Sequence, residues 1–298
     1  MRQQENLTDH RRPAAVRIGM GQITVDGGAY QDNLSRAVET IAEAGRRKCT
    51  VVVLPECLDA GWTYPGAMEL SHPVPGPTTD ILARAAREAS IHVVAGVTER
   101  ASNGSVYNTA VLLGPNGDVL SRHRKINELS IAHHLYATGD SLSVVQTPFG
   151  RVGLTVCADN YPDSLVFAHS LARMQAQFIL SPCAWAVDGD HDNVAAPYGA
   201  RWHESYSTIA RLYDVTVVGV SCVGWLREGP WRGRKCIGNS LAYGPGGECL
   251  VEAPYGEDAT TFLTAEVNPS GLRVRGTNIS EHLKDLTERD ERATGLAR

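Results

Sequence analysis

The sequence predicts one α/β domain in which two mixed sheets pack face to face, with helices on their outer sides. Apolar runs typical of buried strands outnumber the segments with helical spacing, so several strands must share each helix. The chain of 298 residues has no proline-, glycine- or serine-rich linker, no low-complexity tract and no fixed-period repeat. We therefore expect a flexible tail over 1–14, a single domain over 15–280 and a charged tail over 281–298.

The first half of the chain alternates between strand and helix patterns. A strand begins at Val16, and the helix that follows ends near Gly45 and the basic residues after it. Pro55 stops a continuous apolar run, which is typical of a strand buried on both faces. Thr78 or Thr79 is the expected N-cap of the second helix. In order, the segments are VRIGMGQI, NLSRAVETIAEAGRRK, TVVVLPE, TTDILARAAREAS, IHVVAGVTE, NTAVLLG and DVLSRHRK.

The second half contains two further helices and ends in strands alone. The strand RVGLTVC ends at Cys157, and a helix is expected from Pro162 to about Met174. The strand QFILSP, the amphipathic helix PYGARWHESYSTIARLYD and the strand VTVVGVSCVG follow. The segments GNSLAYGPGGECLVEAP and TTFLTAEVN are typical of hairpins.

Composition excludes several classes of protein. The net charge of −5, with no extended basic segment, argues against a nucleic-acid partner. No apolar run approaches the roughly 18 residues that a bilayer span needs, so no membrane partner is expected. The N-terminus lacks an apolar signal core, and the seven cysteines are odd in number and scattered. These features favour free thiols and a cytoplasmic location.

Motifs for metals and cofactors are missing from the sequence. It contains no serine nucleophile elbow, no phosphate-binding P-loop and no glycine fingerprint after a strand. It also lacks the paired-cysteine and paired-histidine spacings that bind zinc. We expect neither a metal nor an organic cofactor.

Three predicted strands end in residues that a core does not explain: Glu56, Lys125 and Cys157. Functional groups gather beyond the carboxyl ends of parallel strands, and a carboxylate, an ammonium and a thiol suffice for acyl transfer. Cys157 would attack the substrate, with its thiol pKa lowered by a following helix N-terminus. Glu56 would carry the proton, and Lys125 with the backbone N–H of Ala158 would stabilise the oxyanion. Taken singly, each of the three residue types is more often structural.

At these residues the sequence resembles the nitrilase, or carbon–nitrogen hydrolase, superfamily. The matching stretches are VVVLPE, VYNTAVLLGPNGDVLSRHRKIN, TPFGRVGLTVCADNYPDS and GNSLAYGPGGECL, and the resemblance runs from about Val16 to about Arg275. It implies a four-layer α-β-β-α sandwich and a Glu–Lys–Cys triad at Glu56, Lys125 and Cys157. It also implies a homodimer or larger homo-oligomer, with the tail over 281–298 at an interface. Tyr107 and Asn108 lie in a family-like segment and are expected to support Glu56 and Lys125 by hydrogen bonds.

Two positions depart from the family pattern. The nucleophile is commonly followed by an aromatic residue, where this chain has Ala158. Many members carry a second glutamate in the place that Ala132 and His133 occupy here. Glu128 is the candidate for this auxiliary acid; the alternative is a solvated loop residue.

Substrate selection is expected to depend on the segments after Cys157 and after the strand QFILSP. The pocket candidates are Tyr136, Asp159, Trp185 and Asp188. The segment ADNYPDS contains no arginine to hold a substrate carboxylate, which disfavours a carboxylate-bearing substrate, although the distant Arg201 or Arg232 would serve. Trp185 would form a wall, and the aspartates Asp188, Asp190 and Asp192 would select a cationic or neutral polar tail. The alternative is that these aspartates are solvated or cap the next helix.

The function that these features favour is cofactor-independent hydrolysis of a small-molecule linear amide. A Cys157 thioester would form and then yield a carboxylic acid plus ammonia or an amine. The alternatives on the same three residues are a nitrilase, an N-carbamoyl-amine amidohydrolase and an acyltransferase. A non-catalytic binding protein on this fold is the alternative of a different class.

Overall fold

The computed structural model describes residues 15–272, so the expected tails over 1–14 and 281–298 lie outside the described residues. The helices are α1 (Tyr30–Arg46), α2 (Ala67–Leu70), α3 (Pro77–Ala89), α4 (Val166–Arg173) and α5 (Ala200–Tyr213). The strands are β1 (Val16–Gln22), β2 (Val51–Val53), β3 (His92–Arg100), β4 (Val106–Leu113), β5 (Val119–Arg124), β6 (Val144–Thr147), β7 (Gly150–Leu154), β8 (Phe178–Cys183), β9 (Ala186–Val187), β10 (Thr216–Ser221), β11 (Val223–Trp225), β12 (Lys235–Ile237), β13 (Leu241–Tyr243), β14 (Cys249–Glu252) and β15 (Thr261–Val267).

Two six-stranded mixed sheets form the centre of the fold. Their strand orders are β15-β1-β2-β3-β4-β5 and β14-β13-β10-β8-β7-β6, and β11, β12 and β9 form a smaller third sheet. Helices α1 and α3 pack on the first sheet, whereas α5 packs on the second. Strands β2 and β3 of the first sheet contact β8 of the second across the interior. The predicted α/β sandwich of two face-to-face mixed sheets is therefore confirmed.

Strand direction explains why the three strand ends meet. Strands β1, β2 and β3 are parallel. Strand β4 is antiparallel to both β3 and β5, so β5 runs in the same direction as β1, β2 and β3. In the second sheet, β7, β8 and β10 are parallel to one another. The carboxyl ends of β2, β5, β7 and β8 thus lie at one edge of the sandwich, which is where ligand sites form in such sheets.

The ends of two helices differ from the sequence prediction. Helix α3 begins after Gly76, with Pro77 in its first turn, rather than after Thr78 or Thr79. The helix begins at Pro77 because proline's fixed φ favours the first helical position. The Thr79 hydroxyl lies in the first turn and accepts a 2.8 Å hydrogen bond from the Gly76 N–H. The helix expected from Pro162 is divided into a 3-10 turn over Pro162–Ser164 and α4.

The small third sheet and α2 have no counterpart in the sequence prediction. Strand β9 is two residues long, and β11 and β12 are three each, which is too short for a periodicity signal. The segment between β11 and β12, residues 226–234, is called the β11–β12 hairpin below.

Two findings concern the expectations about membrane spans and cysteines. Every helix in the described part is too short or too polar to cross a membrane. All seven cysteines are free thiols, and Cys249 is the exposed one.

Candidate active site

The structure brings the three strand-end side chains together in the interior. Lys125 Nζ lies 2.7 Å from Glu56 Oε1, and the two side chains are 1% and 0% exposed. Cys157 is 8% exposed, and the charges of both Glu56 and Lys125 act on its thiol. An acid, an amine and a sulfur separated along the chain thus share one buried site.

Glu56 is held in the turn after β2 by contacts on several sides. The Asn108 side chain donates a 2.6 Å hydrogen bond to Oε1, as expected from the sequence. The Glu56 N–H donates to the Cys183 carbonyl at 3.2 Å, which joins the ends of β2 and β8 across the two sheets. Oε2 is buried and has no hydrogen-bond partner among residues 15–272, so this oxygen is the one available to take a proton.

A glycine in β3 permits this close approach. A Cβ on Gly96 would lie 2.5 Å from Glu56 Cα and 2.8 Å from the Pro55 carbonyl oxygen. Because both are backbone atoms, no side-chain rotation would relieve the contact. Gly96 therefore sets the distance between β3 and the Glu56 turn.

Lys125 remains protonated despite its burial. Burial lowers the pKa of its ammonium, but the nearby carboxylates of Glu128 and Glu56 outweigh that effect and hold the pKa well above its usual value. An ammonium fixed in a site with little water is suited to stabilising a developing oxyanion.

Glu128 lies in the site and not in a solvated loop. Its side chain is buried, with Oε2 3.7 Å from Lys125 Nζ. Burial raises the pKa of the Glu128 carboxyl from 4.5 to about 7, partly opposed by the charge of Lys125. The solvated-loop alternative is therefore wrong, and the role of Glu128 as auxiliary acid stays a prediction.

Cys157 begins a 3-10 turn over Cys157–Asn160 in the left-handed region of φ, at +44°. Its N–H donates a 3.0 Å hydrogen bond to the Ser181 hydroxyl, which fixes this strained turn. A hydrogen bond with the Cys183 thiol, burial and the charge of Glu56 together raise the pKa of Cys157 well above its usual value. The expected lowering of the pKa by a helix N-terminus was wrong, since a single 3-10 turn replaces the helix.

Asp159 was expected in the substrate pocket, but its carboxylate is occupied by the protein. It bonds the His123 ring at 2.8 Å and accepts from the N–H groups of Ile126, Asn127 and Val156. Burial raises the pKa of Asp159, but the His123 contact and the backbone donors reverse this and lower it. Asp159 therefore ties the loop after Lys125 to the nucleophile turn.

The peptide after the nucleophile is also fixed. The carbonyl of Ala158 accepts hydrogen bonds from the Asn127 side chain at 2.8 Å and from the Ser164 hydroxyl at 2.5 Å. The oxyanion role of the Ala158 N–H stays a prediction.

Two of the pocket candidates are buried beside the site. Trp185 stacks on Trp202 with ring centroids 4.8 Å apart, in the apolar cluster that includes Cys157. Its role as a pocket wall stays a prediction. The Tyr136 hydroxyl accepts hydrogen bonds from the Thr63 N–H at 3.3 Å and from the Cys57 thiol at 3.7 Å. Tyr136 thus supports the chain just after Glu56.

Asp188 lies outside the pocket. Its side chain is 65% exposed and pairs with Arg234 at 2.8 Å. Asp192 accepts hydrogen bonds from the N–H groups of Val194 and Ala195, so it caps the local chain. The expectation that Asp188 and Asp192 select a cationic tail loses its support, because their partners are protein groups.

Sequence reasoning missed several groups that border the triad. The Trp62 ring lies 5.8 Å from Lys125 Nζ, and it also forms a T-shaped pair with Trp231 of the β11–β12 hairpin, with ring centroids 5.0 Å apart. Ser181 and Cys183 contact the nucleophile turn from β8. The one sequence signal for these two contacts is that β8 places a serine and a cysteine at the end of an otherwise apolar strand. Within residues 15–272, no group of three or more His, Cys, Asp or Glu side chains is placed to hold a metal ion.

Comparison with known proteins places this geometry in a family. The family model described as Carbon-nitrogen hydrolase matches residues 17–275. An omega-amidase of Homo sapiens is 34% identical over 248 residues, covering 80% of this chain and 84% of that protein. An omega-amidase of Xenopus tropicalis is 33% identical over 264 residues, covering 86% of this chain and 89% of that protein.

Solved structures show the same fold. A carbon–nitrogen hydrolase from Helicobacter pylori superposes with a TM-score of 0.76 at 20% identity, covering 85% of this chain and 89% of that one. An amidase from Nesterenkonia sp. gives 0.72 at 20% identity, covering 92% of this chain and 97% of that one. The resemblance seen in the sequence motifs is thereby confirmed: the chain belongs to the carbon–nitrogen hydrolase family of the nitrilase superfamily and is an enzyme of that kind.

Proposed function

We propose that the protein hydrolyses a linear amide to a carboxylic acid and ammonia or an amine, through a thioester on Cys157. The observation that carries the proposal is the buried contact between Lys125 and Glu56 beside the Cys157 thiol. The two omega-amidase relatives, at 33% and 34% identity, support an amide substrate.

The raised pKa of Cys157 determines how the reaction begins. Since the resting thiol is neutral, a general base must remove its proton as the sulfur attacks. Glu56 Oε2, buried and without a partner among the described residues, takes that proton. The sulfur forms a bond to the amide carbon, and the carbonyl π electrons move to the oxygen. Lys125 stabilises the resulting oxyanion, with the Ala158 N–H as the second donor.

Collapse of the tetrahedral intermediate completes the first half of the reaction. The carbonyl re-forms, the carbon–nitrogen bond breaks, and Glu56 returns the proton to the leaving nitrogen. Water then attacks the thioester carbon and gives a proton to Glu56. The second tetrahedral intermediate collapses with cleavage of the carbon–sulfur bond, Glu56 returns the proton to the sulfur, and the carboxylic acid leaves. Glu128, 3.7 Å from Lys125, keeps the ammonium charged and positioned throughout both halves.

Replacement of the nucleophile tests the proposal. In Cys157→Ala, hydrolysis of a short aliphatic amide should fall by at least about 10³-fold with an unchanged fold. Cys249→Ala, which removes the exposed thiol, is the matched control and should keep full activity. Mass spectrometry of wild-type protein quenched during turnover should show the acyl group on Cys157. Full activity in Cys157→Ala would refute the mechanism.

A matched nitrile separates this function from the alternative nitrilase. The amide should be turned over and the nitrile of equal chain length should not. Preferential turnover of the nitrile would indicate that the protein is a nitrilase, whose first covalent intermediate on Cys157 is a thioimidate and not a thioester. An added amine that appears in the product mass would indicate acyl transfer.

A further inference from the structure

A second thiol lies against the nucleophile. The Cys183 thiol, at the end of β8, forms a hydrogen bond with the Cys157 thiol. The Ser181 hydroxyl is a neighbour of both residues, since it accepts a 3.0 Å hydrogen bond from the Cys157 N–H and lies 3.6 Å from Cys183 Sγ. Amide hydrolysis uses the sulfur of Cys157 and gives the Cys183 thiol no step, although the two side chains touch.

The surrounding protein fixes the position of the Cys183 sulfur. Cys183 Sγ lies 3.4 Å from the Ser181 carbonyl oxygen and 3.8 Å from Tyr206 Oη. The backbone is held as well, because the Cys183 carbonyl accepts a 3.2 Å hydrogen bond from the Glu56 N–H. The residue is 0% exposed, so these contacts keep the sulfur beside Cys157 and away from solvent. Disulfides form where two cysteine side chains already point toward each other, as this pair does.

The other buried cysteines belong to a different part of the core. Cys157 and Cys183 lie in one apolar cluster, whereas a second cluster contains the remaining four buried cysteines, Cys49, Cys57, Cys222 and Cys236. Of these four, Cys222 is near enough for the charge of Cys157 to act on it, but its own hydrogen bond is with Cys236. Cys183 is therefore the thiol placed to react with Cys157.

The base that starts amide hydrolysis also serves an attack on a peroxide. A thiolate and not a thiol attacks an electrophile such as a hydroperoxide, so the neutral Cys157 thiol must lose its proton in either reaction. Glu56 Oε2 is the acceptor in both. Hydrogen peroxide is smaller than any amide, so a route that admits the amide to the sulfur also admits the peroxide. A sulfenic acid that finds no second thiol is oxidised further to a sulfinic acid, which thiol reductants do not reverse.

We propose that Cys183 is a resolving thiol, which captures a Cys157 oxidised by a hydroperoxide as a Cys157–Cys183 disulfide. With hydrogen peroxide, the Cys157 sulfur attacks one oxygen, the oxygen–oxygen bond breaks, and the departing hydroxide takes the proton from Glu56 and leaves as water. The Cys183 sulfur then attacks the sulfur of the Cys157 sulfenic acid, the sulfur–oxygen bond breaks, and the hydroxide leaves as water with the Cys183 proton. Two thiols and one peroxide thus give one disulfide and two waters, and a dithiol reductant restores both thiols.

The disulfide occupies the sulfur that attacks the amide. Oxidation therefore stops turnover until a reductant acts, and it protects Cys157 from irreversible oxidation in the meantime. This inference goes beyond the proposed function, because it concerns the fate of Cys157 whichever amide the site takes.

Peptide mapping of the wild-type protein is the first test. The protein is treated with a small excess of hydrogen peroxide, denatured with a thiol-alkylating reagent present, and digested without reductant. Mass spectrometry should find the peptide that contains Cys157 joined to the peptide that contains Cys183. Hydrolysis of a short aliphatic amide should be lost in parallel and should return after dithiothreitol.

Cys183→Ser is the second test, because it keeps the shape of the side chain and removes the sulfur. The measured quantity is the fraction of each variant's own initial activity that dithiothreitol recovers after peroxide, so differences in starting activity cancel. This fraction should be at least about fivefold lower in Cys183→Ser than in wild type, with a sulfinic acid on Cys157. The matched control is Cys222→Ser, which removes a buried thiol of the second cluster and should recover as wild type does.

Three results would overturn the proposal: a Cys157 that peroxide leaves unmodified, an oxidised Cys157 that is never joined to Cys183, or equal recovery in wild type and Cys183→Ser. The peptide map uses wild-type protein, so it decides the question even when Cys183→Ser does not fold. Failure of the wild type to hydrolyse any amide would instead refute the proposed function, while the map would still test the disulfide.

Discussion

Substitution of Glu128 should change how the free energy of unfolding of the protein depends on pH. The carboxyl is buried next to Lys125, and burial raises its pKa from 4.5 to about 7. Replacement by glutamine keeps the shape of the side chain and removes the ionisation. The variant therefore compares a neutral group with one that must ionise in the folded protein.

The size of the effect follows from the two pKa values. A pKa that is higher in the folded than in the unfolded chain means that folding opposes ionisation, so stability falls as the pH rises through the interval between 4.5 and about 7. At about 1.4 kcal/mol for each pH unit, this interval corresponds to about 3 kcal/mol. Below pH 4.5 both states are protonated, and above about 7 both are ionised, so the difference is constant outside the interval.

Denaturant unfolding of wild type and Glu128→Gln at a series of pH values measures this difference. The free energy of unfolding of the variant, relative to wild type, should rise by about 3 kcal/mol between pH 4 and pH 8. The control is Glu88→Gln, an exposed position on α3, for which the difference should stay flat. If the relative free energy of unfolding of Glu128→Gln stayed constant or fell between pH 4 and pH 8, the carboxyl of Glu128 would not be buried beside the ammonium of Lys125.

Further predictions concern the groups that hold the site. Gly96→Ala should lower the free energy of unfolding by about 2 kcal/mol and reduce activity, because the added Cβ would lie 2.5 Å from Glu56 Cα. Thermal unfolding measures the first effect and kcat measures the second. Asp159→Asn should cost about 3 kcal/mol at pH 7, and because the pKa of Asp159 is lowered, the cost should vanish as acid protonates the wild-type carboxyl. A bulky maleimide should label Cys249 before Cys157, as followed by peptide mass spectrometry, because Cys249 is exposed and Cys157 is a buried neutral thiol.

The strand and helix patterns predicted two face-to-face sheets and suggested the triad at strand ends, and the resemblance to the nitrilase superfamily then implied both the four-layer sandwich and the triad. Long apolar runs mark buried strands, and the carboxyl ends of parallel strands share an edge, which made a site of Glu56, Lys125 and Cys157 plausible before the family resemblance implied it. The 2.7 Å contact between Lys125 and Glu56 was not predictable, because it depends on how two sheets pack. Short strands such as β9 escaped because two residues carry no period.

The pocket was the part that sequence reasoning misjudged. Asp159 and Asp188 were expected to face the substrate, but each is engaged by a partner distant in sequence, His123 and Arg234 respectively. A carboxylate's partner is chosen by the tertiary fold, which no local pattern reveals. Trp62 was missed for the same reason, since it packs against Trp231, which lies far along the chain in the β11–β12 hairpin.

The β11–β12 hairpin is anchored apart from the reacting groups. It connects two strands of the small sheet, whereas the triad stands on the ends of strands in the two large sheets. Changes in the sequence of the hairpin should therefore leave the spacing of acid, amine and sulfur intact. Such a separation lets residues 226–234 diverge in evolution without loss of the chemistry.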